Sequence, residues 1–562
     1  MSFDNNDQNS SKNFIVAMVF FMLFMFGYDY FFGRPVDTAE TNTTHQEKKP
    51  KAPVAKPTIS LDDAMSRKSR VSFENEHITA SVDLAGGVID ALTLKGFKET
   101  TADDSKNVML LKPKDMKSQF FYAISYNDKT NNENVSRETF WTRIETKNGR
   151  EVVLKARTKG GLDIERTVTV DDGYMLDIRD RVLNTSDKSV TLGASSDLVR
   201  DNPKYDNYAV VHEGLVGSSD GKVEEVKYGD IDDRTTFKKC SWLGYTDIYW
   251  LCSVVNEKDQ SAVSYEKTSE DAYKISLMRR EDVHIAPNAA VELHYSIFAG
   301  PKDIRVLKNY RDTRNLDKFE MAIDFGWFFI ITKPLIQLMD VLASALPNMG
   351  LVILLLTLML RFITDPLMKK SFLSAAKMRA LQPKIALLQK SYAHDKLRMN
   401  QEMMALYRKE KVSPLSGCLP MLLQAPIFFC LYKVFFISIE MRHAPLFGWI
   451  RDLSAPDPLC LFNLFGLIDW TPPSFLQIGV WPLVMGLTMF LQQKLSSFGA
   501  ARSTVQKSSE QKMQENMMLI MPVVFTYVCA SFPVAVVVYW TISNIFSMAQ
   551  QCYVNRVVLG RK

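Results

Sequence analysis

A multi-pass α-helical membrane protein carrying a separate all-β domain is the fold class that this 562-residue sequence predicts. Three observations predict it. Apolar segments crowd into the C-terminal part, beginning at 325, while 66–302 is polar and alternates apolar and polar residues. The stretch Asn348–Phe372, NMGLVILLLTLMLRFITDPLMKKSF, is an apolar run broken by a single arginine, Arg361. Residues 364–417 carry eleven basic side chains against four acids, whereas 441–475 offers only Arg442 and Arg451 as cations. By the excess of Lys and Arg on cytoplasmic loops, that asymmetry puts 364–417 in the cytoplasm and the β domain outside.

Composition closes several function classes. A net charge of +5, dispersed along the chain, does not suggest nucleic acid. The seven cysteines show no CxxC or Cys/His spacing, so neither a zinc site nor a redox site is indicated. Cys240 and Cys252 share the polar middle and are either a disulfide or two buried thiols.

The chain starts with a polar leader (1–13), then Phe14–Phe32, an apolar run with one acid, Asp29, and with aromatics at its end. No small-x-small cleavage site follows, so the segment reads as an uncleaved signal anchor with its N-terminus inside. Residues 33–65 are rich in Pro, Lys, Thr and Ala and read as a linker. Over 66–302, period-two runs such as GLDIERTVTV and YMLDIRDRVLN are punctuated by turn residues, including Gly86-Gly87 and Asp171-Asp172-Gly173. That pattern predicts a large antiparallel sandwich. Its histidines, His77, His212, His284 and His294, form no motif.

Residues 303–346 read as linking and interfacial helices, because the apolar run there is interrupted by Lys333-Pro334, Gln337 and Asp340. A second span is expected over 347–363, closed by Asp365-Pro366. Then come a cytoplasmic helical hairpin over 364–417 that turns at His394-Asp395, a third span (418–438) and an outer loop (439–474). A fourth span (475–492), a cytoplasmic loop (493–515), a fifth span (516–532), a sixth (533–552) and a tail (553–562) complete the chain. The apolar runs of the last two are short enough to imply local thinning of the bilayer.

Arg361 lies roughly 18 Å along a helix that starts near Met349, within a hydrocarbon core ~30 Å thick. A charge at that depth must face protein, water or headgroups. It marks either a functional site or an arginine snorkelling to the surface. Thr357 shares its helical face. With Gln424, Tyr539 and the adjacent Trp540 in later spans, these residues suit a wet groove open to the cytoplasm. The membrane part shows no acid pair, inverted repeat, nucleophile elbow or metal motif.

The segments AAKMRALQPKIALLQ, QEMMALYRKEKVSPLSGCLPMLLQAPIFFCLYKV, ELHYSIFAGPKD and VVYWTISNIFSMAQQ resemble the bacterial YidC membrane protein insertases. The resemblance covers nearly the whole chain. It implies six spans with a five-helix insertase core in the bacterial inner membrane, and a periplasmic β-supersandwich of sugar-mutarotase-like shape. Arg361 matches the family's groove arginine, and Thr357, Gln424 and Tyr539 its groove polars. Lys377, Arg379, Lys384 and Lys390 would be contact residues of the cytoplasmic hairpin. The implied partners are nascent membrane proteins, the Sec translocon, ribosome–nascent chain complexes with targeting factors, and lipids. The resemblance implies no enzymatic activity, no cofactor and no nucleic-acid specificity. Two alternatives stay open: a transporter or lipid scramblase using the same groove, and a membrane-anchored periplasmic carbohydrate-binding or enzyme module. The chain departs from the family where Thr364-Asp365-Pro366 replaces the usual tyrosine-proline, and in the extra apolar loop CLFNLFGLIDWTPPSF.

Overall fold

A computed structural model describes residues 59–556 apart from 68, 206–210, 232–233, 238, 257–260, 270, 393, 411, 413–418, 469, 471, 474–475, 498–508 and 555. The expected leader, the signal anchor (14–32) and most of the linker lie outside the described residues. The chain divides into two compact units, one ending at Asp324 and one running from Phe325 onward.

The first unit is the expected sandwich. Among the described residues it has an 11-stranded and a 9-stranded sheet, paired antiparallel throughout the hairpins that build them. Period two in sequence becomes period two in burial. Along Leu162–Val170 every second side chain is buried: Leu162, Ile164, Arg166, Val168 and Val170. A short helix α1 (Leu61–Met65), capped by Ser60, stands where the linker was expected to continue. Helix α2 (Ile304–Thr313), capped by Asp303, sends Tyr310 to the hairpin turn at Asp171, where its hydroxyl donates to Asp171 Oδ2 and accepts from Tyr174 N–H.

One inward position holds a charge. Arg166 lies directly across from Asp180 in the ladder, at 2.6 Å, and both are buried. From the other sheet Tyr126 donates to Asp180 Oδ2 at 2.5 Å, and Arg166 donates to the carbonyl of Gly87 at 2.9 Å. The guanidinium stacks 4.4 Å from the Trp141 ring. Burial by itself lowers the Arg166 pKa, but Asp180 outweighs it and the group is held above its ordinary value. Gly87 has φ +59, and a Cβ there would sit 2.8 Å from Trp141 Nε1, so the clasp needs glycine at that position.

Neither cysteine of the sandwich is in a disulfide: Cys252 lies opposite Tyr245, and Cys240 opposite Ser219. The histidines stay apart. Among the described residues no group of His, Cys, Asp or Glu could hold a metal.

The second unit is helical. Helix α3 (Phe329–Ala345) passes through Pro334 and buries Thr332, Leu335, Ile336 and Met339. It exposes Phe329, Ile330 and Val341 instead, with Trp327 and Phe328 just before it, an apolar outer surface of the kind that faces lipid. Helix α4 (Met349–Ser391) starts at Asn348, whose side chain caps Gly350 and Leu351, and runs unbroken for 43 residues through Pro366 and Pro383. The boundary expected at Asp365-Pro366 is therefore a change of polarity along one helix of roughly 65 Å, not a break. Proline removes one backbone bond, and at a membrane edge neighbouring groups can make up the loss.

Helix α5 (Lys396–Lys409) begins at the Asp395 cap, where the turn was expected. It packs back on α4 through Leu381, Ile385, Val412, Met403, Leu406 and Tyr407. Helices α6 (Leu419–Ile437), α7 (Val480–Ser497), α8 (Ser509–Cys529) and α9 (Val534–Tyr553) follow. Helix α7 starts five residues later than the span expected from 475, with Trp481 N–H accepted by Asp457 at its first turn. Helices α8 and α9 have 21 and 20 residues, about 30 Å each, because both continue into polar sequence. The thinning inferred from short spans is not required by these lengths. Among the described residues one stretch, Met349–Met378, is long and apolar enough by itself to cross a membrane.

Two outcomes test the sandwich. Asp180→Ala strands the Arg166 charge in the core and should cost about 3–5 kcal/mol, read as a lowered unfolding midpoint of the β unit in the full chain. A loss under about 1 kcal/mol, the size of an ordinary hydrogen bond, would mean the pair is not buried as described. His212 is buried, with Nε2 2.7 Å from the Leu215 carbonyl, and burial lowers its pKa below the ordinary value. Above about pH 6.5 folded and unfolded forms are both neutral and this stabilisation is whole. As pH falls below that, the unfolded chain binds a proton that the folded one refuses, and stability drops by at most about 1.4 kcal/mol per pH unit until the folded pKa is reached. The protection factor of the strand Gly214–Ser219, its intrinsic exchange rate divided by the observed one at each pH, should fall between pH 7 and 5.5, and His212→Gln should flatten that dependence.

Candidate functional site

The polar residues of the helical unit converge where α4, α6 and α9 meet. Arg361 stands twelve residues into α4 and is 6% exposed. Among the described residues no carboxylate partners its guanidinium; the ionisable neighbour within electrostatic reach is the Tyr539 phenol on α9. Tyr539 is itself buried and accepts from Gln424 Nε2 of α6 at 2.7 Å. One hydrogen bond thus ties α6 to α9 beside the arginine.

The other expected residues are placed differently. Thr357 is fully buried one turn before Arg361, with its hydroxyl turned back to the Ile353 carbonyl at 2.6 Å. Trp540 neighbours Tyr539 in sequence, but its ring packs edge-on against Phe428 at 4.7 Å and beside Phe525 at 5.4 Å. In the hairpin, Lys377 and Lys390 are exposed, while Lys384 is paired with Glu410 at 3.1 Å across α4 and α5. The Arg379 side chain lies outside the described residues.

Helix α9 carries a longer polar face than sequence reasoning singled out. Thr541, Ser543, Asn544, Ser547, Gln550 and Gln551 are all buried. Asn544 donates to Thr488 of α7 at 3.1 Å. Gln550 donates to Asp365 Oδ1, so that the acid at the departure from the family pattern is held by the last helix. Ser543 Oγ and Gln550 Oε1 are buried without a protein partner. Sequence reasoning also missed Lys433, a buried cation within α6. The signal was present: a lysine inside an apolar run calls for the same question as Arg361.

Chemically, the cluster is a desolvated positive charge beside hydroxyl and amide groups. It contains no nucleophile–base pair, and its groups suit binding and hydration rather than bond-making.

Comparison with known proteins identifies the family. The family described as YidC periplasmic domain matches residues 70–338, and the family described as 60Kd inner membrane protein matches 341–561. A relative named membrane protein insertase YidC, from Rickettsia prowazekii, is 36% identical over 98% of this chain and 99% of its own length. A relative of the same name from Agrobacterium fabrum is 36% identical over 89% and 84%. Among solved structures, an active YidC insertase with its first transmembrane domain resolved is 16% identical with a TM-score of 0.35, covering 86% of this chain and 92% of that one. A galactose mutarotase-like protein from Lactobacillus casei is 7% identical with a TM-score of 0.32, covering 41% and 100%. At those TM-scores neither structure adds to the assignment. Resting on the two family matches and on relatives of nearly equal length, the chain belongs to the YidC family of membrane protein insertases.

Proposed function

We propose that this chain inserts nascent proteins into the bacterial inner membrane through a hydrated site centred on Arg361, and that it does so without nucleotide. The observation that carries the reading is a buried guanidinium that no carboxylate partners among the described residues. Such a charge is expensive in an apolar medium and persists where water or a transient anion meets it. Ser543 Oγ and Gln550 Oε1, buried without protein partners, are further groups that call for water. An acidic flank of a nascent segment would be drawn to Arg361 from the cytoplasm. The apolar part of the segment would then partition sideways into lipid, and burial of ~20 apolar residues would drive the step.

In this reading the chain spans the membrane six times, with the anchor (14–32) as the first span, the N-terminus and the hairpin (364–417) in the cytoplasm, and the sandwich in the periplasm. The charge asymmetry of the loops supports that orientation. Lys377, Arg379, Lys384 and Lys390 would meet incoming chains or anionic lipid. The Sec translocon, and ribosome–nascent chain complexes with their targeting factors, are the partners this role would require. The family assignment argues against the transporter, scramblase and envelope-enzyme alternatives.

At ~8 Å and an effective dielectric of ~20, a guanidinium–carboxylate attraction is about 2 kcal/mol. Arg361→Gln should therefore slow insertion of substrates with acidic flanks by up to roughly 30-fold, and spare those with neutral flanks. Arg361→Lys should retain most of the activity. Proteoliposome insertion of a matched substrate pair measures this, and an equal loss on both substrates would assign Arg361 a structural role instead.

A further inference from the structure

Arg361, Asp365 and Lys369 follow one another at four-residue steps on the unbroken helix α4. They therefore share one stripe. At that spacing the order Asp365 before Lys369 is the better one, but an arginine and an aspartate four residues apart can also close an ion pair. Here they do not. Lys369 Nζ holds Asp365 Oδ2 at 2.6 Å, and Gln550 of α9 donates to Oδ1. Lys369 in turn sits 5.7 Å over the Tyr553 ring at the end of α9. Asp365 is four-fifths buried and Gln550 is buried, so the carboxylate is enclosed between two helices, while Lys369 closes it from the exposed side. Both oxygens of the carboxylate are thus occupied by groups other than Arg361.

We propose that Lys369 and Gln550 are positioning residues: they hold the Asp365 carboxylate off Arg361, and thereby keep the guanidinium available to acidic substrate flanks. Asp365 is then a built-in competitor for the site, restrained one turn away. With Asp365 neutralised by Lys369, the stripe keeps a net positive charge at Arg361. With Asp365 released onto Arg361, the same residues would present a closed pair that attracts nothing. The proposal rests on the insertase reading for its consequence, but not for its geometry.

Two readouts separate those parts. The first is a double-mutant cycle of Arg361→Gln and Asp365→Asn on the thermal midpoint of the full-length protein, in the native background and in a Lys369→Met/Gln550→Met background. The shifts should add in the native background. In the other background they should depart from additivity by about 2–4 °C, as expected for a new pair worth ~1 kcal/mol in a unit of this size. Coupling already present in the native background, or absent from both, overturns the proposal. The second readout is insertion of acidic-flank and neutral-flank substrates into proteoliposomes. Lys369→Met/Gln550→Met should depress acidic-flank insertion to near the level of Arg361→Gln, and adding Asp365→Asn should bring it back to within about twofold of the native protein. A folding defect would not be repaired by the third change, so a defect that persists in the triple variant, or no defect in the double, overturns the role in specificity. If the cycle behaves as stated but Arg361→Gln does not discriminate between flanks, the clasp stands and the insertase reading of Arg361 fails.

Discussion

A guanidinium buried in an apolar helix bundle, with no carboxylate partner among the described residues, is the constraint on which the helical unit turns. Arg361 cannot shed its proton, and an isolated charge in a dry interior costs several kcal/mol or more. Beside it the fold sets the Tyr539 phenol rather than an acid, among the described residues. Gln424 and Tyr539 lock α6 to α9 next to it, and Asn544 and Thr488 lock α9 to α7. The polar face of α9 continues toward the C-terminal end of the stripe, where Asp365 is held by Lys369 and Gln550.

The sandwich shows what this protein does with a buried arginine whose role is structural. Arg166 is as deeply enclosed as Arg361, yet it is answered by Asp180 across the ladder, by the Gly87 carbonyl from the Gly86-Gly87 turn, and by the Trp141 face. Tyr126 satisfies the remaining need of Asp180. The contrast lies between two guanidiniums of one chain, one neutralised and fixed, the other desolvated and uncommitted. Selection for stability alone accounts for the first. The second has no such answering acid among the described residues.

Much of this was legible in the residues. Period two with turn punctuation marked the sandwich, and alternation placed Arg166 among inward positions of Leu162–Val170. What alternation could not give was the pairing of distant segments, such as Asn75 reaching the carbonyls of Asp171 and Gly173, or Tyr310 returning to the same turn. In the helical unit, Arg361, Gln424 and Tyr539 stood out as polar residues in apolar runs, and the fold brings them together. The end of α4 was misread because Asp-Pro is ordinarily a helix stop, while here packing on α9 and on α5 sustains the helix past it. The start of α8 differs from the expected span because hydropathy marks only the apolar part of a helix. Gln550 and Gln551 are buried within α9, which a polarity count does not foresee.

Insertion through this site would bring nascent segments past Arg361. A photo-crosslinking residue at Gln424, half-buried and one hydrogen bond from Tyr539, reports on that position directly. Ribosome-stalled chains bearing one apolar segment would be presented at a series of lengths. The account predicts crosslinks to the nascent chain that appear and then fade as its length increases. Crosslinks to lipid alone at every length would contradict it, and would leave Arg361 a charge that the fold tolerates rather than uses.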